Sequence, residues 1–341
     1  MTSTGTMSLL MRLPPELLHM IKEQIPLTDL RTHVCFYKTT PILAALYGDF
    51  LDQRLFWQRA CISVGLGAPN GSASYTDWKQ VAFTCIEKDG WCSHPKCGVT
   101  RLNINAREIE EMELNDLTMN GLRRSMEDVH ATGPEYHPYI SSLFRYLSFH
   151  YSRKQTMEED ALLDYRNGLV DDEENPANLL HEHPIAARSF AIFPVMTKAL
   201  VMHEVFDSPV IITNPDGITI SDVMDGIFEC LNDYLSVDQL YRSIDHHDWV
   251  TSLGQLAAMD FPSALGKMQT VRQYFYYFRF NGIEFVEWYH EPDDVEPDDV
   301  EPDEEPDDIG YPCLSLETRV ARITRPVGSL WNQETIAAEK G

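Results

Sequence analysis

Residues 291–308 read EPDDVEPDDVEPDEEPDD, a five-residue repeat with twelve carboxylates and no basic group. Proline returns every four or five positions and removes a backbone donor each time, so neither a helix nor a sheet ladder propagates through it. Like charges at this density keep such a segment extended and solvated. The chain therefore has to build its fold on either side of a connection that adds nothing to a core. The repeat also carries nearly half of the charge imbalance: 27 basic against 53 acidic residues give −26, and −14 without its twelve carboxylates. It lacks the glycine and closing glutamate of an EF-hand loop, so it reads as a spacer or surface loop and not as a calcium site.

That negative balance disfavours nucleic acid as a partner, because neutralising phosphates takes a basic surface. It disfavours an anionic membrane surface for the same reason. No stretch approaches the ~18 uninterrupted apolar residues of a membrane span. The first residues place no basic region ahead of their short apolar run, unlike a secretory leader. Seven cysteines are an odd set for a disulfide framework. The expected location is the cytoplasm or nucleus. With 341 residues, 43% of them apolar, two ordinary domains can each bury a core.

Strand patterning concentrates after residue 181. Ala199–Phe206 and Pro209–Thr213 are strand candidates, and Asn214-Pro-Asp-Gly217 supplies turn chemistry, with glycine taking φ > 0. A helix follows, capped by Thr219 or Ser221 and burying Val223, Met224, Ile227, Phe228 and Leu231. Ser236 opens another helix through Ile244. Two aromatic runs, Gln273–Phe280 and Ile283–Tyr289, flank Asn281-Gly282, which predicts a type I′ hairpin. Leu314, Leu316, Thr318 and Val320 alternate as a further strand, so the acidic repeat interrupts a sheet.

The first 90 residues are helical in pattern. Pro14 and Pro15 suit a first turn, where no helical N–H bond is due. Leu17, Leu18, Ile21 and Ile25 then make one stripe, ended by Pro26. Thr28 or Asp29 can cap a second helix, on which Leu27, Leu30, Val34 and Cys35 share a face. A third apolar series is Leu43, Leu46, Tyr47, Phe50 and Leu51, and a fourth is Phe56, Trp57, Ala60 and Val64. Between 100 and 180 the pattern weakens: a charged helix over Ala106–Leu114, an apolar element at Ile140–Phe149, and an acidic linker or surface segment at Met157–Asn178.

The series Leu13-Pro-Pro-Glu-Leu-Leu18, Ile21, Ile25, Pro26, Asp29-Leu30 and Val34-Cys35, with Phe56-Trp57 downstream, resembles the F-box over about the first 60 residues. The resemblance implies a small helical module that docks on a Skp1-type adaptor and so joins a cullin-based ubiquitin ligase. On this basis Leu13, Pro14, Pro15, Leu17, Leu18, Ile21, Ile25 and Leu30 form the partner face, with Leu17 and Leu18 inserted and Glu16 at the rim. His183-Pro, Arg188-Ser-Phe, Asn214-Pro-Asp-Gly-Ile-Thr-Ile-Ser-Asp-Val and Asp260-Phe-Pro-Ser-Ala-Leu are similar to segments of fungal F-box-like proteins. That similarity carries no activity and implies only that this half faces a target.

Other chemistry is weakly signalled. Cys92-Ser-His94-Pro-Lys-Cys97 could be half a zinc site completed by Cys85, His130 or His137, but no second cysteine pair at finger spacing exists, and surface thiols explain the same letters. His181 and His183, and His246 and His247 between Asp245 and Asp248, read as solvated loops, since adjacent side chains diverge. No Gly-x-Ser-x-Gly elbow, dinucleotide fingerprint or phosphate loop appears. The aromatic run Tyr274–Phe280 reads as core and not as a base-stacking platform.

The expectation is an α+β protein. A helical F-box-like module spans 8–66, a helical and linker region 67–180, and a target-binding α+β region with antiparallel hairpins 181–325, with the insert at 291–308. Its expected role is a non-enzymatic adaptor without metal or cofactor, binding an unknown target protein. Two other readings are a scaffold that transfers no ubiquitin and an enzyme built on Asp245–Asp248.

Overall fold

Proline 15 occupies the first turn of the first helix, Asp29 accepts the N–H of Thr32 at the start of the second, and Thr40 and Asp49 cap the next two. These start signals give α1 (Pro15–Gln24), α2 (Leu30–Thr39), α3 (Pro41–Ala45) and α4 (Phe50–Ser63). Two more helices follow, α5 (Trp78–Glu87), capped by Asp77, and α6 (Val99–Glu113). The computed structural model describes residues 12–68, 76–88, 97–113, 138–150, 160–163, 179–236, 238–239, 270–271, 274–275, 278–290 and 310–320.

The second half adds strands, so the chain is α+β. Two small antiparallel pairs are β1 (Tyr139–Ile140) with β4 (Ile192–Phe193), and β2 (Leu147–His150) with β3 (Asp160–Leu163). β3 thus falls within the acidic stretch expected to be a linker. The main sheet has the order β6-β5-β8-β7, built from β5 (Lys198–Met202), β6 (Val210–Thr213), β7 (Phe278–His290) and β8 (Gly310–Val320). β5 and β8 pair in parallel and the other two ladders are antiparallel. Between Cys313 and Leu316, β8 contributes to cores on both faces: Leu314 and Leu316 enter the main core, while Cys313 meets Leu200 on the opposite side.

A seventh helix, α7 (Ile220–Glu229), packs its Val223, Met224 and Ile227 into that core. Thr219 caps it in a box with Asp222. Gly226 lets α7 approach β6, since a Cβ there would overlap the Ile212 side chain. Asn214-Pro-Asp-Gly217 turns as the sequence predicts, with Gly217 at φ 101°.

The predicted hairpin at Asn281-Gly282 is not formed. β7 runs straight through these residues, and the register shift between Phe280 and Gly282 leaves Asn281 as the extra residue of a bulge. Gly282, at φ 150°, takes the backbone geometry a side chain would resist. Tyr274 and Phe275 are helical and buried, so the first aromatic run is core but not strand up to that point. The real antiparallel partner of β7 is β8, with His290 opposite Gly310, so the acidic repeat connects two adjacent strand ends. Its own residues lie outside those described, as do 240–269, which hold most of the predicted helix after Ser236.

Replacing residues 291–309 by Asn-Gly should therefore keep the fold. A turn of two residues suits paired ends, and the shorter closure favours the folded state by up to about 2 kcal/mol. Thermal unfolding should show an unchanged or higher Tm; a clear fall would mean the repeat packs on the protein.

Candidate functional site: the helical surface and its joint to the sheet region

The helical half is organised on Trp57, which is fully buried. Tyr47 stacks on it at 5.4 Å with planes 10° apart, and Tyr37, Phe56 and Phe83 meet it edge-on. These rings come from α2, α4, α5 and the turn after α3, so one indole ties four pieces of chain together. α1 is fixed to them through Lys22, whose ammonium sits 4.8 Å from the Tyr47 ring and 5.4 Å from that of Phe56 and donates to the Leu46 carbonyl at 3.1 Å.

This core selects differently among the residues expected on a partner face. Leu18 is 2% exposed and Leu30 1%, and both point into the chain's own core. Leu13 and Ile25 pack partly against it. Leu17, at 43%, and Ile21 and Met20 remain on the outer side of α1, with Pro14 and Pro15 exposed beside them. The expected insertion of Leu17 and Leu18 together is thus corrected. Adjacent helical residues sit about 100° apart, and the second of these is needed inside.

The third apolar series divides in the same way. Gly48 at φ 85° stops the chain after α3, and Asp49 with Asp52 forms a capping box that starts α4 in a new direction. Leu43, Leu46 and Tyr47 stay in the core, while Phe50, 75% exposed, and Leu51 stand outside with Leu55. Ile42 is exposed too. On α2, His33, Val34 and Phe36 are buried and Cys35 is exposed. The result is a helical unit with a complete core and large apolar side chains on the outer sides of α1 and α4.

His33 is the one buried titratable imidazole in this unit. Its Nδ1 lies 3.0 Å from the Tyr47 hydroxyl, and Phe56 covers its ring. Burial lowers its pKa from the ordinary 6.5, helped by Lys22 and opposed by Asp29 and the carbonyls of Pro26 and Ile25.

The helical core does not stop at residue 66. It takes in Leu66, Trp78, Ala82, Cys85, Leu102 and also Ile185 from the second half. Gly67 donates to the Arg188 carbonyl at 2.7 Å and Phe190 donates to Gly65 at 2.9 Å, pairing Leu66 with Ser189. Ile220 N–H donates to Ser189 and Ala191 N–H to Ile218, so 189–191 lies between the helical half and the lead-in to α7. Asn214 Nδ2 donates both to the Ala68 carbonyl and to Asp222, each at 2.7 Å. Thr76 Oγ1 adds a bond to Asp216 at 2.6 Å.

Sulfur chemistry gathers at the same joint. The Cys85 thiol donates to the Pro184 carbonyl at 3.2 Å, and the Cys61 thiol to that of Trp78 at 3.6 Å. Burial pushes the Cys85 thiol up to about 12 against the favourable charge of Arg188, and drives Cys61 well above its ordinary value. Cys97 Sγ lies 2.8 Å from His183 Nε2, both buried. His183 Nδ1 accepts the N–H groups of Ile185 and Ala186 at 3.3 and 3.0 Å. His183, expected on a solvated loop, and Cys97, expected among surface thiols, are both buried. The only sequence signal was His183-Pro itself, which starts the turn that the Nδ1 acceptor caps.

The zinc candidates are not assembled among the described residues, where no group of three or more His, Cys, Asp or Glu could hold a metal ion. Cys92, His94, His130 and His137 lie outside them, as do Asp245, His246, His247 and Asp248. A metal-bound imidazole donates its other N–H outward, whereas His183 Nδ1 accepts two amides. No described helix is long and apolar enough to cross a membrane. No protein-family model, curated protein or solved structure matches the chain.

Two outcomes are expected. Trp57→Ala should cost about 3–5 kcal/mol in urea unfolding, since it empties the centre of the aromatic cluster. Because the His33 pKa is lowered on folding, its contribution is complete above about 6.5. It is lost as pH falls through that value, where the unfolded chain takes up the proton first. Unfolding midpoints should therefore drop between pH 7.5 and 5.5 more steeply in the native chain than in His33→Gln.

Proposed function

We propose that this chain is a non-catalytic adaptor whose N-terminal helices act as an F-box-like module on a Skp1-type partner of a cullin ubiquitin ligase. The α+β region then presents a target protein. The observation that carries the reading is the pairing of a closed aromatic core with exposed Leu17, Met20 and Ile21 on α1 and Phe50, Leu51 and Leu55 on α4. A helical unit that has filled its own core and still shows this much apolar surface is built to be covered. The sequence order from Leu13 to Trp57 that resembles the F-box falls on these helices.

The adaptor does no chemistry in this reading. It holds a target beside a ubiquitin-charged partner, which makes an intermolecular transfer effectively intramolecular. The continuous joint between the halves supports this role, because a rigid connection fixes where the target is held.

The test is co-elution of the chain with a Skp1-type adaptor, repeated with Leu17→Asp and Ile21→Asp together. The native pair should form a stable complex. The double variant should stay folded and lose binding at least ~100-fold, since two carboxylates cannot be desolvated against an apolar groove. Equal binding by the variant would remove α1 from the interface. Leu18→Asp is no test of docking, because it should unfold the helical half.

A further inference from the structure

We infer that the inner side of α6 holds one water molecule as a fixed part of the fold, bound by Arg101, Asn105 and Glu108. These residues stand four and three positions apart, so they share an arc of about 60° on the helix. Arg101 and Asn105 are each 1% exposed. Three buried atoms on this stripe have no hydrogen-bond partner in the protein: Arg101 Nε, Asn105 Oδ1 and Glu108 Oε2. Leaving such atoms unpaired in the interior costs free energy at each of them.

The surrounding bonds fix what each atom still needs. The Ser142 hydroxyl donates to Glu108 Oε1 at 3.0 Å and so accepts from Arg101 Nη1 at 3.3 Å. The Tyr139 hydroxyl donates to the same Oε1 at 3.0 Å, so this oxygen takes two hydrogens and Oε2 none. The Ser189 hydroxyl donates to the Ile185 carbonyl at 3.1 Å. It is therefore the acceptor for Asn105 Nδ2 at 3.2 Å, which sets the amide with Oδ1 unpaired. One hydrogen thus seeks an acceptor and two oxygens seek hydrogens. Arg101 and Glu108 meet on one Ser142 oxygen, and Asn105 lies on the turn between them, so the three groups are neighbours.

Water matches this set by accepting one hydrogen and donating two, and about three bonds is the usual number for a buried water. An anion has no hydrogens for Asn105 and Glu108, and a metal cation would face the Arg101 N–H. A primary amide offers the same three bonds, but the near-complete burial of Arg101 and Asn105 closes the approach it would need. Through Ser142 and Ser189 the same side chains reach the run after β1 and the strand-like run at the joint. The water therefore completes a polar layer between α6 and the segments it packs on.

The experiment is a crystal structure of the full chain at a resolution that shows ordered water, joined to magnetic relaxation dispersion of water in solution. The crystal should show one isolated density peak within about 3.2 Å of Arg101 Nε, Asn105 Oδ1 and Glu108 Oε2. Glu108→Met removes an acceptor without adding a donor, and the dispersion amplitude should fall by the share of one long-lived water. Glu108→Gln places an N–H where Oε2 was. Water then accepts two hydrogens and donates one, so the amplitude should stay at the native value. No peak at that point, a larger continuous density, a native amplitude in folded Glu108→Met, or an equal loss in folded Glu108→Gln would each overturn the proposal. The crystal structure uses the native chain and does not depend on how either variant folds.

Discussion

The strand-like run Ser189–Ala191 holds the molecule together by pairing in two directions at once. On one side Gly65 and Gly67 bond to Phe190 and Arg188, and on the other Ile218 and Ile220 bond to Ala191 and Ser189. Phe190, fully buried, packs with Phe193, Val195 and Ile109 in a small core between the larger two. Backbone pairing of this kind must be satisfied once buried, so the helical half and the sheet half cannot separate without leaving these groups unpaired. Asn214 reinforces the arrangement by binding both Ala68 and the Asp222 that caps α7.

Local signals in the sequence are legible where one residue decides the geometry. The start of α1 at Pro14-Pro15 and the left-handed Gly217 need no tertiary information, and of the two caps the sequence offers for each helix, Thr28 or Asp29 and Thr219 or Ser221, the structure uses Asp29 and Thr219. Periodicity failed where a tertiary partner chose between two faces. Leu17 and Leu18 are equally apolar, and only the aromatic cluster beyond α1 makes the second a core residue. Phe50 and Leu51 continued a helical pattern that Gly48 and the Asp49 capping box broke in space. Asn281-Gly282 carried the usual signature of a hairpin, yet the strand Gly310–Val320 offered β7 a longer ladder, and the dipeptide became a bulge within it.

The joint was the least legible part. His183 reads as a solvated loop residue and Cys97 as a surface thiol, because contacts between residues about 80 to 150 positions apart leave no local periodicity. His183 and Asn214 are buried here with their polar atoms paired: Nδ1 of His183 with two amides, Nε2 with sulfur, and Asn214 Nδ2 with a carbonyl and a carboxylate. The same pairing makes the region a rigid bridge between a helical surface with exposed leucines and a sheet whose β7–β8 end carries the acidic connection.

In the proposed function, the outer faces of α1 and α4 would be covered by a Skp1-type adaptor. The most direct measurement is amide hydrogen exchange on the full chain, alone and with excess adaptor. Slower exchange confined to residues 15–24 and 50–63, with 198–213 and 310–320 unchanged, is the predicted footprint. Unchanged exchange over both helices, or protection on the sheet instead, would contradict it.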